Sequence, residues 1–531
     1  MTQLPSESAV LKASPAHVPP RHPLLQKIED GAMALSLSNL LFVGAWYIPV
    51  MFASEFIYFK KVPLTRTKVL ALAVVMLSFA GMVWTLTQAM RRSRKRWFRP
   101  LCEWLFLLVS LLALDSCRQV VFSTPIAQIV SFFKQPLGFL LLMMMLTGVL
   151  WKRRWVVQAA AVVVGILSPL AVLTLARIAV AILHPQQVSE AVPPPMGPMR
   201  EGQPRVVWMI FDETDQRLAF EQRPRGVQMP EFDRFRCECL SATNAYPPGN
   251  NTKESMPGLI TGLRISKADP KNASELELTL ADSGKVVGWT ELPSVFDGAR
   301  ELGVNTALVG WFHPYSRILG RSLNYCAWYP YMLYQPVSAQ TFGEALRNEL
   351  ECAAWNLHLR HTYVNTCRAT LANSLAVATN ANYGFMLLHL PPPHLPGVFD
   401  PATGGYTVLD MQKVRGYFRN LALADLFLGT LRRGMETSGL WDKECVIISA
   451  DHSWRASATY DRRRDSRIPF LVKAPGMNRP IVYSPEMNTL VTHDLVLAIL
   501  REELASQQQL VPWLDAQPAV RVPPPAGSDE E

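Results

Sequence analysis

Five apolar runs fill the first third of the chain, at residues 33–53, 68–90, 101–123, 133–151 and 155–183. Each comes close to the ~20 residues that cross a bilayer as a helix, so this part is built for a different solvent from the rest. Glu103 and Asp115 interrupt the third run, the weakest of the five. A mean hydropathy of +0.11, with 18% charged residues in 531, is too apolar for an ordinary soluble enzyme, and the excess lies in these runs. Roughly thirty polar, Pro-containing residues precede the first run, which does not fit a cleavable signal peptide.

The loops between the runs give an orientation. Arg91, Arg92, Arg94, Lys95, Arg96 and Arg99 crowd between the second and third runs, and Lys152, Arg153 and Arg154 between the fourth and fifth. Loops rich in Lys and Arg stay cytoplasmic. Five crossings then make residues 1–32 a cytoplasmic tail and 33–183 a transmembrane domain, with everything beyond on the outer side. Lys60, Lys61, Arg66 and Lys68 in the first loop run against this, and weigh less because the second loop is denser. The formal charge of +9 is mostly this topology signal. Without interleaved aromatic stacking platforms, the Arg clusters argue against nucleic acid as a partner.

Residues 184–204 hold Pro185, Pro193, Pro194, Pro195, Pro198 and Pro204, which read as an extended tether rather than packed structure. The outer domain, 205–513, has roughly three hundred residues, enough for a full core. The Pro-rich acidic tail, 514–531, reads as disordered. Within the domain, Val206 to Phe211, Thr306 to Val309, Tyr383 to Leu388 and Val446 to Ser449 read as buried strands. Ser294 to Leu302, with Ser294 as N-cap, and Met411 to Ser438 read as helices. This alternation predicts an α/β domain of three layers around a mostly parallel sheet.

Two strand ends carry chemistry. One strand ends in Asp212-Glu213 and another in Asp451-His452, so carboxylate and imidazole ligands converge at the carboxyl edge of one sheet, where open α/β sheets place their sites. About forty residues after the first strand, Thr252 opens an apparent helix in Asn251-Thr252-Lys253-Glu254-Ser255-Met256, an uncharged nucleophile candidate beside amides that attract phosphate. Its ordinary role would be helix N-cap, with Ser255 as the alternative cap. His394, in a Pro-rich turn, could hold a phosphate oxygen or protonate a leaving group; His389 and His313 are similar candidates, and Lys253 could contact phosphate. Any of these histidines could instead satisfy backbone carbonyls. Of eight cysteines, Cys237, Cys239, Cys326, Cys352, Cys367 and Cys445 fall in the outer domain, where disulfides could persist, although Cys445 starts a buried strand and reads as packed.

In order along the chain, Ile210-Phe211-Asp212-Glu213-Thr214, Thr252 to Gly262, Leu390-Pro391-Pro392-Pro393-His394-Leu395-Pro396, Ser449-Ala450-Asp451-His452, Ile468-Pro469-Phe470 and Ala474-Pro475-Gly476 resemble the sulfatase-like branch of the alkaline phosphatase superfamily. That branch also holds phosphoethanolamine and phosphoglycerol transferases, and the resemblance covers nearly all of residues 205–500. It implies an alkaline-phosphatase-like domain with Thr252 at the nucleophile position. Sulfatases carry there a Cys or Ser in Cys/Ser-x-Pro-x-Arg that becomes formylglycine. Thr252 cannot supply that aldehyde, so the resemblance points to direct attack on phosphorus. It also implies one divalent metal, Zn²⁺ or Mn²⁺, on Glu213, Asp451 and His452, with Thr252 completing the shell and Asp212 as a further candidate. A second metal set of the form Asp-x-x-x-His is missing among the ten histidines, while His493 could still reach the site.

Anchored by five helices, the chain then looks like the membrane transferases of that branch, which work outside the cytoplasmic membrane. The expected partners are a phospholipid donor and an envelope glycan or lipid acceptor, with a phospho-threonine between. The alternatives are a phosphodiesterase or phosphatase using water as acceptor, and a non-catalytic envelope scaffold.

Overall fold

The computed structural model describes residues 23–47, 58–60, 65–122, 126–184, 188, 190–331, 341–410, 412–504 and 506–518. The N-terminal part is helical: α1 (Pro23–Leu41), α2 (Arg66–Arg92), α3 (Phe98–Val120), α4 (Pro136–Ile166) and α5 (Ser168–Leu183). Among the described residues α2, α3 and α4 are long and apolar enough to cross a membrane. One stripe of α2, with Val69, Leu72, Val75 and Met76, is buried in one cluster with Leu37 and Leu41 of α1, while Leu70, Val74 and Leu77 point outward. Apolar side chains on the outer face are stable only against lipid or another apolar surface.

The helix boundaries differ from the apolar runs. α1 starts ten residues before residue 33, and the second half of the 33–53 run lies largely outside the described residues. The fourth and fifth runs are not divided at Lys152-Arg153-Arg154, where α4 is only kinked, with Lys152 at φ −116°. Lys and Arg are good helix formers. The break falls at Leu167, because Pro169 in the first turn of α5 cannot continue the preceding helix.

Arg99 and Arg153, one from each Arg-rich segment, meet on Glu103 at 3.2 and 2.7 Å, so those segments share one end of the bundle. The other end of α2, about 40 Å away at 1.5 Å per residue, faces the second domain. There Lys68 pairs with Glu349 at 3.7 Å, and Trp355 joins the apolar core of the bundle. Gly44 is required at this contact, since a Cβ would sit 2.4 Å from the Trp355 ring. Lys60 is buried there too. Two of the four basic residues that ran against the orientation thus serve the contact between domains; Lys61 lies outside the described residues.

The second domain is built on eight strands: β1 (Val206–Phe211), β2 (Leu240–Ala242), β3 (Thr306–Phe312), β4 (Tyr325–Pro330), β5 (Phe385–Leu390), β6 (Cys445–Ser449), β7 (Phe470–Lys473) and β8 (Ile481–Tyr483). Their order is β8-β2-β7-β6-β1-β5-β3-β4, and β7 alone runs against the rest. Along β1, Val206, Trp208 and Ile210 enter one core while Val207, Met209 and Phe211 enter the other. The first core is closed by α6 (Thr252–Thr261) and α7 (Val295–Glu301), the second by α8 (Trp355–Ala378) and α9 (Lys413–Thr437). This is the three-layer α/β arrangement expected from the alternation of strands and helices.

Residues 190–204 are no free tether. Asn305 exchanges two hydrogen bonds with the Gly197 backbone, at 2.9 and 2.8 Å, and Asn324 Nδ2 donates to the carbonyls of Pro194 and Pro195. Proline removes the amide donor but keeps the carbonyl acceptor, so an extended Pro-rich strand can still be fastened by side-chain amides. At the far end, a short helix runs to Ala516, past the expected boundary at residue 513, and residues 519–531 lie outside the described ones. All eight cysteines are free thiols, Cys445 being buried in β6 as expected.

Candidate active site

The carboxyl ends of four neighbouring strands meet in one place. Asp212 follows β1, His389 sits in the last turn of the β5 ladder opposite Ile210, Asp451 and His452 follow β6, and His313 follows β3. All except Thr252 come from the sheet edge. Thr252 comes from α6, whose N-cap is Asn251, its side chain accepting from Glu254 N at 3.3 Å. The capping role open to Thr252 is therefore filled, and its hydroxyl is available to the site. It donates to Asp451 Oδ2 at 2.7 Å and lies 3.3 Å from His452 Nε2. His452 Nδ1 lies 2.9 Å from the carbonyl of Ser453, which can only accept, so Nδ1 carries the proton and the Nε2 lone pair faces Thr252.

Asp212, His389 and Asp451 are fully buried and offer three ligand atoms within 4.8 Å of one another. Asp212 Oδ2 accepts from Trp311 Nε1 at 2.9 Å and lies 3.4 Å from His389 Nε2, while Asp212 Oδ1 and His389 Nε2 have no hydrogen-bond partner. Burial, then the neighbouring Asp451 carboxylate, push the Asp212 pKa up to about 8. Burial acts upward on Asp451 too, but His452, His389, the Thr252 hydroxyl and the Glu213 N–H hold it below the usual range. Burial keeps His389 neutral, with a pKa of about 4. Buried, unpaired carboxylate and imidazole atoms that repel a second negative charge are the donor set of a cation site. The cluster thus has the ligands to hold a metal ion.

Of the ligands expected from sequence, Asp212, Asp451, His452 and Thr252 come together, and His389, expected on the substrate side, stands among them. The Glu213 side chain is turned toward Arg455, 3.4 Å away, and its backbone N–H donates to Asp451 Oδ1 at 3.1 Å. Glu213 is at φ +62°, a left-handed conformation that costs a non-glycine residue ~1 kcal/mol or more. Tyr417 of α9 holds that turn, donating to Glu213 O at 2.9 Å and accepting from Asp215 N at 3.1 Å, with its ring stacked on Trp454 at 4.0 Å.

His394 packs edge-on against Trp311 and Tyr331, next to this cluster. Lys253 is half-buried on the first turn of α6. His313 is buried under that turn, its Nε2 donating to Thr252 O at 3.1 Å, and burial lowers its pKa to about 3. It contacts the backbone of Thr252. His493 packs against Gly262 at the opposite end of α6, about 15 Å away by helix rise, and does not reach the site. Sequence reasoning missed Trp311, Tyr417 and Arg455. Arg455 alone left a signal, standing three residues after His452; the aromatic residues are indistinguishable in sequence from core.

The sulfatase family model matches residues 204–502. No curated protein sequence matches the chain. Solved structures similar to it include Ps i-CgsB (15% identity, 58% of this chain and 73% of that one, TM-score 0.42). The phosphonate monoester hydrolase of Agrobacterium radiobacter gives 12% identity, 56% and 74% coverage and a TM-score of 0.35. The PsFucS1 sulfatase from Pseudoalteromonas sp. gives 13%, 56% and 68%, and 0.40.

Proposed function

We propose that this chain, which belongs to the sulfatase family in the alkaline phosphatase superfamily, is a membrane-anchored transferase. It moves a phospho-substituent of the phosphoethanolamine or phosphoglycerol type from a phospholipid to an envelope glycan or lipid through a phospho-threonine. The observation that carries this reading is the Thr252 hydroxyl, 2.7 Å from Asp451 Oδ2 and 3.3 Å from His452 Nε2 at a helix start.

In the first half-reaction Thr252 Oγ1 bonds to phosphorus and the bond from phosphorus to the diacylglycerol oxygen breaks. The hydroxyl turns its hydrogen from Asp451 Oδ2 to the lone pair of His452 Nε2, 3.3 Å away, and passes the proton there. The departing oxygen takes up a proton from His394, whose ring packs on Trp311 beside the cluster. In the second half the acceptor hydroxyl gives its proton to His394 as its oxygen bonds to phosphorus, and the bond from phosphorus to Thr252 Oγ1 breaks, Thr252 recovering its proton from His452. Asp212, His389 and Asp451, with His452 and Thr252 adjacent, would hold one divalent cation, Zn²⁺ or Mn²⁺. Such a cation, when bound, stabilises alkoxide and polarises phosphoryl oxygen. Arg455, half-free beside Glu213, suits an anionic substituent.

A lipid donor explains why the domain sits on helices of membrane-crossing length. We place the Arg-rich end of the bundle in the cytoplasm and the catalytic domain, residues 205–513, on the outer face of the cytoplasmic membrane. The same covalent step with water as second acceptor would make the protein a phosphodiesterase.

The decisive test is Thr252→Ala, which should abolish release of diacylglycerol, with Thr252→Ser retaining part. Mass spectrometry of protein incubated with phospholipid and no acceptor should find the phospho-group on the Thr252 peptide. Unchanged diacylglycerol release in Thr252→Ala would remove the mechanism. Donor cleavage with no modified glycan or lipid would favour the phosphodiesterase.

A further inference from the structure

Residues 58–60 belong to the N-terminal part of the chain and are buried in the catalytic domain, Tyr58 at 0% exposure and Phe59 at 3%. The Tyr58 hydroxyl lies 2.9 Å from His313 Nδ1, and His313 Nε2 lies 3.1 Å from the carbonyl oxygen of Thr252. A carbonyl only accepts, so Nε2 bears the ring proton and Nδ1 accepts from the Tyr58 O–H. A directed chain of hydrogen bonds thus runs from the membrane part to the backbone of the residue whose hydroxyl faces Asp451 and His452.

The surroundings fix this chain in place. Phe312, the residue before His313, is at φ +76°, and the Phe59 ring packs edge-on against it at 4.9 Å. Non-glycine residues hold that conformation only when neighbours impose it. The Arg317 side chain is fully buried and donates to the carbonyls of Tyr58 at 3.4 Å, Lys60 at 2.5 Å and Ala273 at 3.2 Å. It also pairs with Glu190 at 3.0 Å and lies over the Trp328 ring. One guanidinium therefore ties residues 58–60, the catalytic domain and the segment leaving the bundle.

We propose that Tyr58 is a positioning residue for Thr252: acting through His313, the segment at 58–60 sets the first turn of α6 so that the hydroxyl meets Asp451 and His452. The catalytic domain is then fully competent only when seated on its own membrane part. An error of 1 Å in a reacting group costs up to ~100-fold in rate, so loss of one hydrogen bond in this chain is kinetically visible. The inference rests on Thr252 being the nucleophile.

The test uses the full chain in detergent, with bis(4-nitrophenyl) phosphate as phosphodiester probe, comparing wild type, Tyr58→Phe, His313→Gln, the double variant and Thr252→Ala. Tyr58→Phe removes one oxygen. It should lower kcat about tenfold with KM within about twofold, and the double variant should be no slower than His313→Gln. Amide hydrogen exchange at residues 252–256 should quicken in Tyr58→Phe while exchange across β1, β5 and β6 stays as in wild type. Wild-type exchange at 252–256 overturns the proposal whatever the activity, as does wild-type kcat alongside inactive Thr252→Ala. An active Thr252→Ala overturns the nucleophile reading instead, and exchange alone then decides the role of Tyr58. If Tyr58→Phe loosens the whole sheet, Phe59→Leu replaces it, with the same contrast between α6 and the sheet required.

Discussion

At the scale of single residues, the site poses a choice between two carboxylates in succession. Asp212 and Glu213 both end the same strand, but only Asp212 reaches His389 and Asp451, because the left-handed Glu213 backbone turns its side chain to Arg455. If the buried cluster holds the cation, purified full-length protein should carry about one equivalent of Zn²⁺ or Mn²⁺. Asp212→Asn removes a negative charge and a coordinating oxygen, and His389→Ala removes a nitrogen, so each should weaken binding by ~100-fold or more. Glu213→Gln should retain the metal. Metal analysis after gel filtration that finds the opposite ranking would return the ligand set to Glu213, Asp451 and His452.

At the scale of elements, local capping decides where the helices beside the site begin. α7 starts at a capping box in which Ser294 N donates to Asp297 Oδ2 at 2.8 Å and Ser294 Oγ accepts from Asp297 N at 3.3 Å. Ser294→Ala should cost ~1 kcal/mol of stability. A lower urea midpoint with unchanged turnover is the expected result, since the Ser294 hydroxyl bonds to Asp297 of its own capping box; an unchanged midpoint would mean that tertiary packing alone holds the helix start. α6 follows the same logic with Asn251 as cap, which leaves Thr252 free for chemistry. The end of α4 shows the converse. Three basic residues mid-helix only kink it, whereas a proline one residue into α5 stops it.

At the scale of the molecule, the Arg-rich segments and the catalytic domain occupy opposite ends of α2. A fluorescent reporter that folds only in the cytoplasm, fused after residue 204, should therefore be dark, and alkaline phosphatase fused there active. Bright cytoplasmic fluorescence would sink both the orientation and access to exported acceptors. Arg317 ties residues 58–60 to the catalytic domain and to Glu190, with the segment from 190 to 204 bound along the domain rather than spanning freely.

The sequence alone determined the features whose causes are local. Runs of β-branched and aromatic residues bounded by polar ends marked β1 and β6, their alternation with helices required a mostly parallel sheet, and a parallel sheet gathers its strand ends on one edge. That was enough to gather Asp212-Glu213 and Asp451-His452 at one edge; the family resemblance added Thr252 and put Glu213 ahead of Asp212 as the ligand. What the tertiary structure decided depends on contacts between residues far apart in the chain. His389 reads as a substrate-side candidate just past a buried strand until the sheet sets it beside Asp212 and Asp451. Glu213 is diverted by a backbone turn that Tyr417 holds from α9, and Tyr58 reaches His313 across 255 positions. Periodicity reports which face a side chain takes within its own element; it carries no information about which distant group stands opposite, and that is what makes a ligand, a clamp or a bystander of the same residue.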